Sequence, residues 1–301
     1  MAPHSPDRAV VSSVRSRGDD ASHAGSRLLD ARPESFRPSV VAELATVLAN
    51  DRVNAEYRHL MLACSETAAQ GVPGQFFQLL CPQPEGAQPF LRRPMSIYGT
   101  SPAERKLEFL YKVTGAGTRG LDALSAGESL DIMGPLGRGF ELDPAWRHIV
   151  AVGRGAGLAT LAPLAKAAQQ REIKVTAVLS ARRPELVVSV DLFHRHGAEV
   201  VVVTDSESTS GPANVERILR SLIAEGRCDA FFTCGSSRLL RVQQRLAHEF
   251  RLPGQVAMEQ QMACGLGMCF CCVRDFNVQG EIVQHRVCWD GPVFDLMEAL
   301  P

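Results

Sequence analysis

A nine-residue segment near the C-terminus imposes the strongest constraint on this chain. Residues 264–272 have the sequence CGLGMCFCC, and a further cysteine follows after fifteen intervening residues. Three cysteines spaced C-x4-C-x2-C, with a distant fourth, form the plant-type ligand pattern of a [2Fe–2S] cluster. Cys271 breaks this spacing and is interpreted as a spare thiol. The predicted metal ligands are Cys264, Cys269, Cys272 and Cys288.

The glycines of this segment explain how three thiolates could reach one small inorganic core. Gly265 and Gly267 permit positive φ and a close backbone approach, so the chain can curl tightly. The exposed amides could then donate hydrogen bonds to the sulfurs. Structural zinc remains the alternative, although zinc usually takes well-separated pairs of cysteines. A disulfide framework is disfavoured because the cysteines cluster and no secretory signal precedes them.

Length and charge narrow the class of protein further. The chain has 301 residues, enough for two or three domains, and a net charge of −1 that offers no basic footprint for nucleic acid. No run of about eighteen apolar residues is present, so a membrane span is not expected. Nine cysteines without a signal peptide indicate a reducing compartment. The prediction is a cytoplasmic protein that binds neither nucleic acid nor membrane.

The pattern of residues divides the chain into four parts. Residues 1–37 are polar, without a sustained apolar period, and are predicted to be a disordered tail. Residues 38–145 contain short strands separated by Gly and Pro, which indicates an antiparallel barrel or sandwich. Residues 146–252 alternate strand and helix, which predicts a parallel sheet with helices on both faces. Residues 253–301 form a small domain around the cysteines.

Individual elements of the alternating region can be placed from periodicity. Strands are predicted at 148–152, 174–179, 199–203 and 230–233, and helices after residue 157 and at 187–194, 215–224 and 237–250.

Two segments of the strand-rich region carry groups suited to phosphate. Arg93, Pro94, Met95 and Ser96 follow a predicted strand, and a guanidinium can grip a pyrophosphate while a hydroxyl bonds a ring edge. The alternative is a plain Arg-Pro edge strand. Residues 111–118 end in a Gly-x-Gly-Thr turn, which could present amides and a hydroxyl to phosphate at a helix start. The alternative there is an ordinary loop.

Two further segments lie at predicted strand ends in the alternating region. The sequence GRGAG at 153–157 follows a strand and opens a helix, the context of a nucleotide-binding loop. It does not complete G-x-G-x-x-G, so a tight turn remains the alternative. Cys234 ends a later strand, where open α/β sheets bind ligands. It could contact a nicotinamide ring or be a packed small side chain.

The order of these parts resembles the ferredoxin-reductase superfamily, and within it the electron-transfer subunit of class 1B dihydroorotate dehydrogenase. The resemblance spans about residues 40 to 295. The cluster loop with its later Cys-x-Asp-Gly-Pro-x-Phe is the most specific match. The matching segments are Pro73–Phe76, Arg93–Ile97, Tyr111–Val113, Gly117–Thr118, Gly134–Gly137, Cys264–Cys272 and Val287–Phe294.

The resemblance implies a cofactor set and a site for each member. FAD would be bound in an antiparallel flavin-binding β-barrel, with the [2Fe–2S] cluster in the small C-terminal domain. NADH would dock on the parallel-sheet nucleotide-binding domain, and no acid–base dyad would be needed. The implied cofactor-binding residues are Arg93, Pro94, Met95, Ser96, Tyr111, Lys112, Val113, Gly117, Thr118, Gly153, Gly155 and Gly157, and Cys234 is the candidate catalytic residue.

The resemblance also implies a partner and a pathway. The subunit would pass electrons between NADH and a separate FMN-containing dehydrogenase in pyrimidine biosynthesis, usually as a heterotetramer. Two alternatives stay open. One is the flavin subunit of a bifurcating ferredoxin–NADP reductase or of a hydrogenase. The other is a relay subunit without NAD(P)H activity, because Arg154 and Thr160 replace the family's usual glycine and proline.

The coenzyme is the least determined point in the sequence. The resemblance favours NADH, whereas the second strand of the alternating region ends in Ser180, Arg182 and Arg183. An arginine there could accept the 2′-phosphate of NADPH. Glu185 could repel that phosphate, and NADH is therefore the expected coenzyme.

Overall fold

A computed structural model describes residues 39–83 and 90–301. The predicted tail at 1–37 lies outside the described residues. Within them the chain forms two large sheets and one hairpin. No helix in the described ranges is long and apolar enough to cross a bilayer.

The first sheet is antiparallel and has seven strands in the order β4-β3-β7-β1-β2-β6-β5. Alternate side chains of these strands point inward, as in β2, where Leu60 and Leu62 are fully buried. A short helix, α1 at Glu66–Ala69, precedes β3, and α2 at Ala116–Asp122 connects β6 to β7. The strands are β1 Val41–Arg52, β2 Tyr57–Ala63, β3 Phe76–Leu79, β4 Arg93–Ser96, β5 Gly99–Ser101, β6 Lys106–Lys112 and β7 Ser129–Leu136.

One segment closes this sheet into a barrel. β4 pairs with β3, and β5, three residues further on, pairs with β6 at the other edge. Between them the Ile97 amide donates to the Gln75 carbonyl at 2.9 Å, and the Tyr98 amide donates to the Glu108 carbonyl at 2.8 Å. The barrel is therefore confirmed over the sandwich, and Phe77 fills its interior against other buried apolar side chains.

The second sheet has six strands in the order β10-β9-β8-β11-β12-β15 and is parallel except for β15. Its strands are β8 His148–Arg154, β9 Lys174–Ala181, β10 Glu199–Thr204, β11 Ala230–Cys234, β12 Gly254–Ala257 and β15 Val293–Asp295.

Helices cover both faces of this second sheet. One face packs against α3 and α4, and the other packs against α5 and α6. Because both faces of the central strands are buried, their sequences are nearly continuous runs of apolar residues, as in β8 with the sequence HIVAVGR. The helices are α3 Gly157–Gln169, α4 Val190–Arg195, α5 Pro212–Ala224 and α6 Ser237–Phe250.

Most predicted elements of this region are confirmed, and one is wrong at its start. Helix α6 spans the predicted residues, and α5 begins earlier, at Pro212, a residue favoured at a first helical position. The predicted helix at 187–194 is interrupted. A 3-10 turn ends at Leu186, and Ser189 has a φ of 72° that no α-helix accepts, so α4 starts only at Val190.

The C-terminal part both extends the second sheet and forms the cluster loop. β12 and β15 join that sheet, while β13 Val273–Val278 and β14 Glu281–Arg286 form a separate hairpin. The cysteine-rich loop lies between β12 and β13. Because this part shares a sheet with the region before it, the division at 37, 145 and 252 stays a prediction.

Candidate functional site

The cysteine-rich loop has the tight curl that its glycines predict. Gly265 and Gly267 have φ of 73° and 76°, a region that strongly favours glycine. A Cβ on Gly267 would lie 2.7 Å from Cγ of Trp289, and a Cβ on Gly265 would lie 2.8 Å from Cγ of Gln78. At both positions a side chain would clash with a neighbouring residue, and the backbone has a conformation that residues other than glycine rarely adopt.

Backbone amides in and beside the loop donate to the predicted ligand sulfurs. The Leu266 amide lies 3.3 Å from Sγ of Cys264, and the Gly267 amide lies 3.3 Å from Sγ of Cys288. The amide of Cys288 in turn lies 3.4 Å from Sγ of Cys272. Such donors stabilise negative charge on sulfur, which is what a cluster ligand carries.

The same contacts change the acidity of the thiols. Burial acts to raise the pKa of Cys264, but hydrogen bonds from the amides of Leu266 and Cys269 outweigh it and lower the pKa to about 7. A hydrogen bond from the Cys288 thiol lowers the pKa of Cys272 to about 6. The pKa of Cys288 is raised, since it would have to lose its proton beside a thiolate. Thiolates are therefore accessible near neutral pH.

The thiols meet in two pairs. Cys264 contacts Cys269, and Cys272 contacts Cys288. Across 39–83 and 90–301, no three His, Cys, Asp or Glu side chains surround a single point that one metal ion could occupy. Two thiol pairs match a [2Fe–2S] cluster, in which each iron takes two protein ligands. The residues present fit that cluster.

The flavin motif of the sequence lies on β4, and Arg92, just before this strand, and Arg93, its first residue, have different partners. Arg92 makes a bidentate pair with the Asp131 carboxylate at 3.0 and 2.8 Å, so it braces the barrel. Arg93, within the described residues, bonds only to the carbonyls of Leu91 and Arg92. Its charge is therefore available to an anion, as the resemblance expects for a diphosphate.

The second barrel motif lies directly against this arginine. A Cβ on Gly117, in the first turn of α2, would lie only 2.9 Å from Nε of Arg93. Thr118 shapes the turn, because its hydroxyl oxygen accepts from the amides of Thr114 and Gly115 at 2.8 and 3.0 Å. The two predicted FAD motifs are thus brought together.

The side chains that precede this turn serve the barrel. The Tyr111 hydroxyl donates to Oδ1 of Asn50 at 3.0 Å in the barrel interior, where burial raises its pKa to about 12. Nζ of Lys112 pairs with Glu56 at 2.7 Å, and Val113 packs at the edge of the barrel core. A cofactor contact of this segment would therefore have to be made by its backbone.

The glycine loop and the late cysteine meet at the carboxyl edge of the second sheet. A Cβ on Gly157 would lie 2.5 Å from the Cys234 carbonyl oxygen. A Cβ on Gly235, whose φ is 91°, would lie 2.4 Å from the Arg154 carbonyl oxygen. The two loops pack backbone against backbone, so these glycines set the geometry of the edge.

Arg154, in the glycine loop, spans three strand ends. Its guanidinium donates to the Ser180 hydroxyl at 2.8 Å and to the Asp205 carboxylate at 3.2 and 2.6 Å. The pair lowers the pKa of Asp205. Gly155 beside it has a φ of 60°, and Gly153 packs against side chains of α3. The side chain of Arg154 is thus tied along the edge.

A hydrogen bond joins the barrel to this edge. The Thr160 hydroxyl on α3 lies 2.9 Å from Oγ of Ser96 on β4 and also faces the Cys234 thiol. Cys234 is 2% exposed, and burial raises its pKa well above the usual range. It is a neutral, packed thiol in contact with the site. The predicted flavin and nicotinamide residues are therefore adjacent.

Sequence reasoning missed one buried polar residue here. Gln78 on β3 is 0% exposed, and neither heteroatom of its side chain has a hydrogen-bond partner among the described residues. Leaving such a group unsatisfied costs about 1–3 kcal/mol. Its strand, FFQL, carries no local signal, because a polar residue in an alternating pattern ordinarily predicts a solvent-facing position.

Comparison with known proteins agrees with this arrangement. Residues 259–299 match the iron–sulfur cluster binding domain of dihydroorotate dehydrogenase B. The chain is 31% identical over 250 residues to the dihydroorotate dehydrogenase B (NAD(+)) electron transfer subunit of Desulforamulus reducens, covering 83% of this chain and 95% of that one. It is 34% identical to the subunit of the same name from Streptococcus pneumoniae serotype 4, and the match covers 73% of this chain and 86% of that one.

A solved structure is similar over most of the chain. It is reported as an NADH-dependent reduced ferredoxin–NADP oxidoreductase, with a TM-score of 0.71 and 28% identity, covering 85% of this chain and 89% of that one. The fold and site thus define a ferredoxin-reductase-like flavin and iron–sulfur oxidoreductase. More narrowly, the chain belongs to the family of electron transfer subunits of dihydroorotate dehydrogenase B.

The ligand assignment can be tested with single cysteine substitutions. Cys264→Ser, Cys269→Ser, Cys272→Ser and Cys288→Ser should each lose or destabilise the cluster, because a thiolate ligand is removed. The matched control is Cys271→Ser, which should retain about two irons and two sulfides. Iron and sulfide analysis of anaerobically purified protein measures this. Iron loss in Cys271→Ser with retention in Cys272→Ser would contradict the assignment.

The flavin site can be tested at Arg93. Arg93→Ala should weaken FAD binding about ten- to hundredfold, since a hydrogen bond to a charged group contributes about 1.5–3 kcal/mol. Arg93→Lys should fall between, because it keeps the charge without the planar fork. The control is Arg105→Ala at an exposed turn. Titration of apoprotein with FAD gives the affinities, and an unchanged affinity in Arg93→Ala would assign Arg93 to the surface.

Proposed function

We propose that this chain carries electrons between NADH and a separate dihydroorotate dehydrogenase subunit in pyrimidine biosynthesis. Within it, FAD lies along the strand β4, with Arg93 and Ser96 as its contacts, and a [2Fe–2S] cluster occupies the loop at 264–272 with Cys288. NADH docks along the edge formed by residues 153–157 and Cys234. The protein is an oxidoreductase, and it acts in the cytoplasm.

One observation supports this proposal, namely that the residues predicted for the three sites lie around one junction, at strands β3 and β4 of the barrel. The bond between Thr160 and Ser96 joins the nucleotide edge to the flavin strand. The packing of Gly265 against Gln78 joins the cluster loop to the same barrel. Bound FAD would supply the conversion between the two-electron chemistry of NADH and the one-electron chemistry of the cluster.

The side chains of this junction act by binding and positioning. Arg93 offers an unopposed charge for the diphosphate, and Ser96 offers a hydroxyl held in place by Thr160. Cys234, as a neutral buried thiol, excludes water from the face where hydride would be passed. No acid–base pair is required, in keeping with electron transfer rather than hydrolysis.

The partner is proposed to contain FMN and to form a heterotetramer with this subunit. The surface at the cluster supports a docking role, because Met268 is 78% exposed and Phe270 is 48% exposed on the cluster loop itself. Exposed apolar side chains grouped at one place commonly mark a protein interface. Docking there would put the partner beside the cluster.

Substitutions on this loop test the interface. Met268→Glu and Phe270→Glu should each weaken binding to the dehydrogenase subunit by about tenfold or more, as expected for central apolar contacts. Leu44→Glu is the control, because Leu44 is 73% exposed on the barrel strand β1. Co-expression and titration of purified subunits provide the measurement. Equal binding by all three variants would refute the proposed docking surface.

A separate experiment addresses the second candidate function, a ferredoxin–NADP oxidoreductase subunit. The similarity to a ferredoxin–NADP oxidoreductase structure over 85% of the chain favours that alternative. The named relatives at 31–34% identity favour dihydroorotate dehydrogenase. Purification of the native complex and assay with dihydroorotate distinguishes the two. A copurifying subunit without dihydroorotate activity would support the alternative.

The coenzyme is proposed to be NADH because the arginines near the nucleotide edge that could bind a 2′-phosphate are each paired with a carboxylate. Arg182 bonds to Glu56 of the barrel, Arg183 pairs with Glu185 at 3.0 Å, and Arg154 is held by Asp205. The 2′-phosphate of NADPH would have to compete with these carboxylates for an arginine. The relatives from both named bacteria are NAD(+) proteins by name.

Stopped-flow reduction of the bound flavin tests this choice. NADH should reduce the flavin at lower concentration than NADPH. Arg182→Ala should leave that preference intact, since Arg182 serves Glu56 rather than the nucleotide. If NADPH proves the better reductant and Arg182→Ala abolishes its advantage, the NADH assignment is wrong.

A further inference from the structure

Gln78 lies between the flavin strand and the cluster loop. In the register of β3 and β4, Gln78 opposes Pro94 and Phe76 opposes Ser96. Opposed residues of antiparallel strands project to the same side, and the intervening Phe77 is buried inside the barrel. Gln78 therefore shares the outer face of the barrel with the flavin residue Ser96.

The cluster loop covers Gln78 on that face. A Cβ built on Gly265 would lie 2.8 Å from Cγ and 3.0 Å from Nε2 of Gln78. Gly265 directly follows the predicted ligand Cys264. The carboxamide is thus beside the first ligand of the cluster and on the side of the loop that faces the flavin strand.

The carboxamide of Gln78 also differs from other buried glutamines of the chain. Nε2 of Gln75 donates to the Gly137 carbonyl at 2.9 Å, and Nε2 of Gln243 donates to the Leu239 carbonyl at 3.2 Å. Gln78 is equally buried, yet both of its side-chain heteroatoms are without partners among the described residues. A buried carboxamide with free donors is suited to an acceptor.

We infer that the carboxamide of Gln78 donates a hydrogen bond to the sulfurs of the [2Fe–2S] cluster and raises its reduction potential. Cluster sulfides and ligating thiolates are acceptors, and the Gln78 carboxamide, which lies against Gly265, can turn its two N–H donors toward them. The amides of Leu266 and Gly267 already donate to ligand sulfurs from within the loop. Gln78 adds a donor from the barrel.

The direction of the effect follows from charge. Reduction adds one negative charge to the cluster, and a donor dipole aimed at its sulfurs stabilises the reduced form more than the oxidised form. Gln78 is therefore a positioning and tuning residue that makes the cluster a better electron acceptor. This inference rests on the proposed cluster and flavin sites.

The test is an EPR-monitored redox titration of the full chain carrying both cofactors. Gln78→Met, an unbranched apolar replacement, should lower the equilibrium constant for cluster reduction about threefold or more, which is about 28 mV at 59 mV per tenfold change for one electron. Gln78→His, which keeps an N–H donor, should restore most of the wild-type potential. Gln243→Leu, which removes a buried carboxamide elsewhere, should leave the potential unchanged.

Cofactor analysis separates failure of this inference from failure of the proposed function. Wild-type protein without iron and sulfide would overturn both. With full cofactor content, an unchanged cluster potential in Gln78→Met would overturn only the role of Gln78. A shift confined to the flavin potential would also overturn it. If Gln78→Met fails to retain the cluster, the Gln78→His and Gln78→Glu variants provide the test. The carboxylate of Gln78→Glu adds a negative charge beside the cluster and should lower its potential below that of Gln78→His. Equal cluster potentials in these two variants would refute the contact.

Discussion

The packing of Gly265 against the side chain of Gln78 holds the cluster loop on the barrel, and the arrangement of the cofactor sites depends on it. At this contact the loop approaches so closely that only glycine fits. A second contact, between Thr160 and Ser96, holds the nucleotide edge against the same barrel. Since the barrel makes both contacts, its rigidity sets how far apart the flavin and its two electron partners can lie.

Ion pairing decides which cations of the site can meet a ligand. Arg92 and Arg93 are adjacent in sequence, but only Arg92 has a carboxylate, Asp131, as partner. Arg154 and Arg182 are likewise tied to Asp205 and Glu56. A paired guanidinium must give up its carboxylate before it can bind phosphate, and this difference supports the proposal that Arg93 is the residue that binds the diphosphate.

The cysteines show how the same side chain takes different chemical roles. In the cluster loop, amide donors lower the pKa of Cys264 to about 7 and favour the thiolate that a metal needs. At the end of β11, burial without such donors raises the pKa of Cys234 and keeps it protonated. Hydrogen bonds to the sulfur therefore separate the predicted ligands Cys264 and Cys272 from Cys234, whose pKa is set by burial.

The sequence alone determined the cluster spacing, the strand-rich and alternating regions and the extent of α6, because each depends on local periodicity or on spacing within one loop. Tertiary structure decided what depends on distant partners. It interrupted the helix predicted at 187–194, turned Tyr111 into the barrel and tied Arg154 to Asp205. It also buried Gln78, a polar residue whose strand pattern predicts exposure. These outcomes come from contacts between elements far apart in the chain, which no short window of sequence contains.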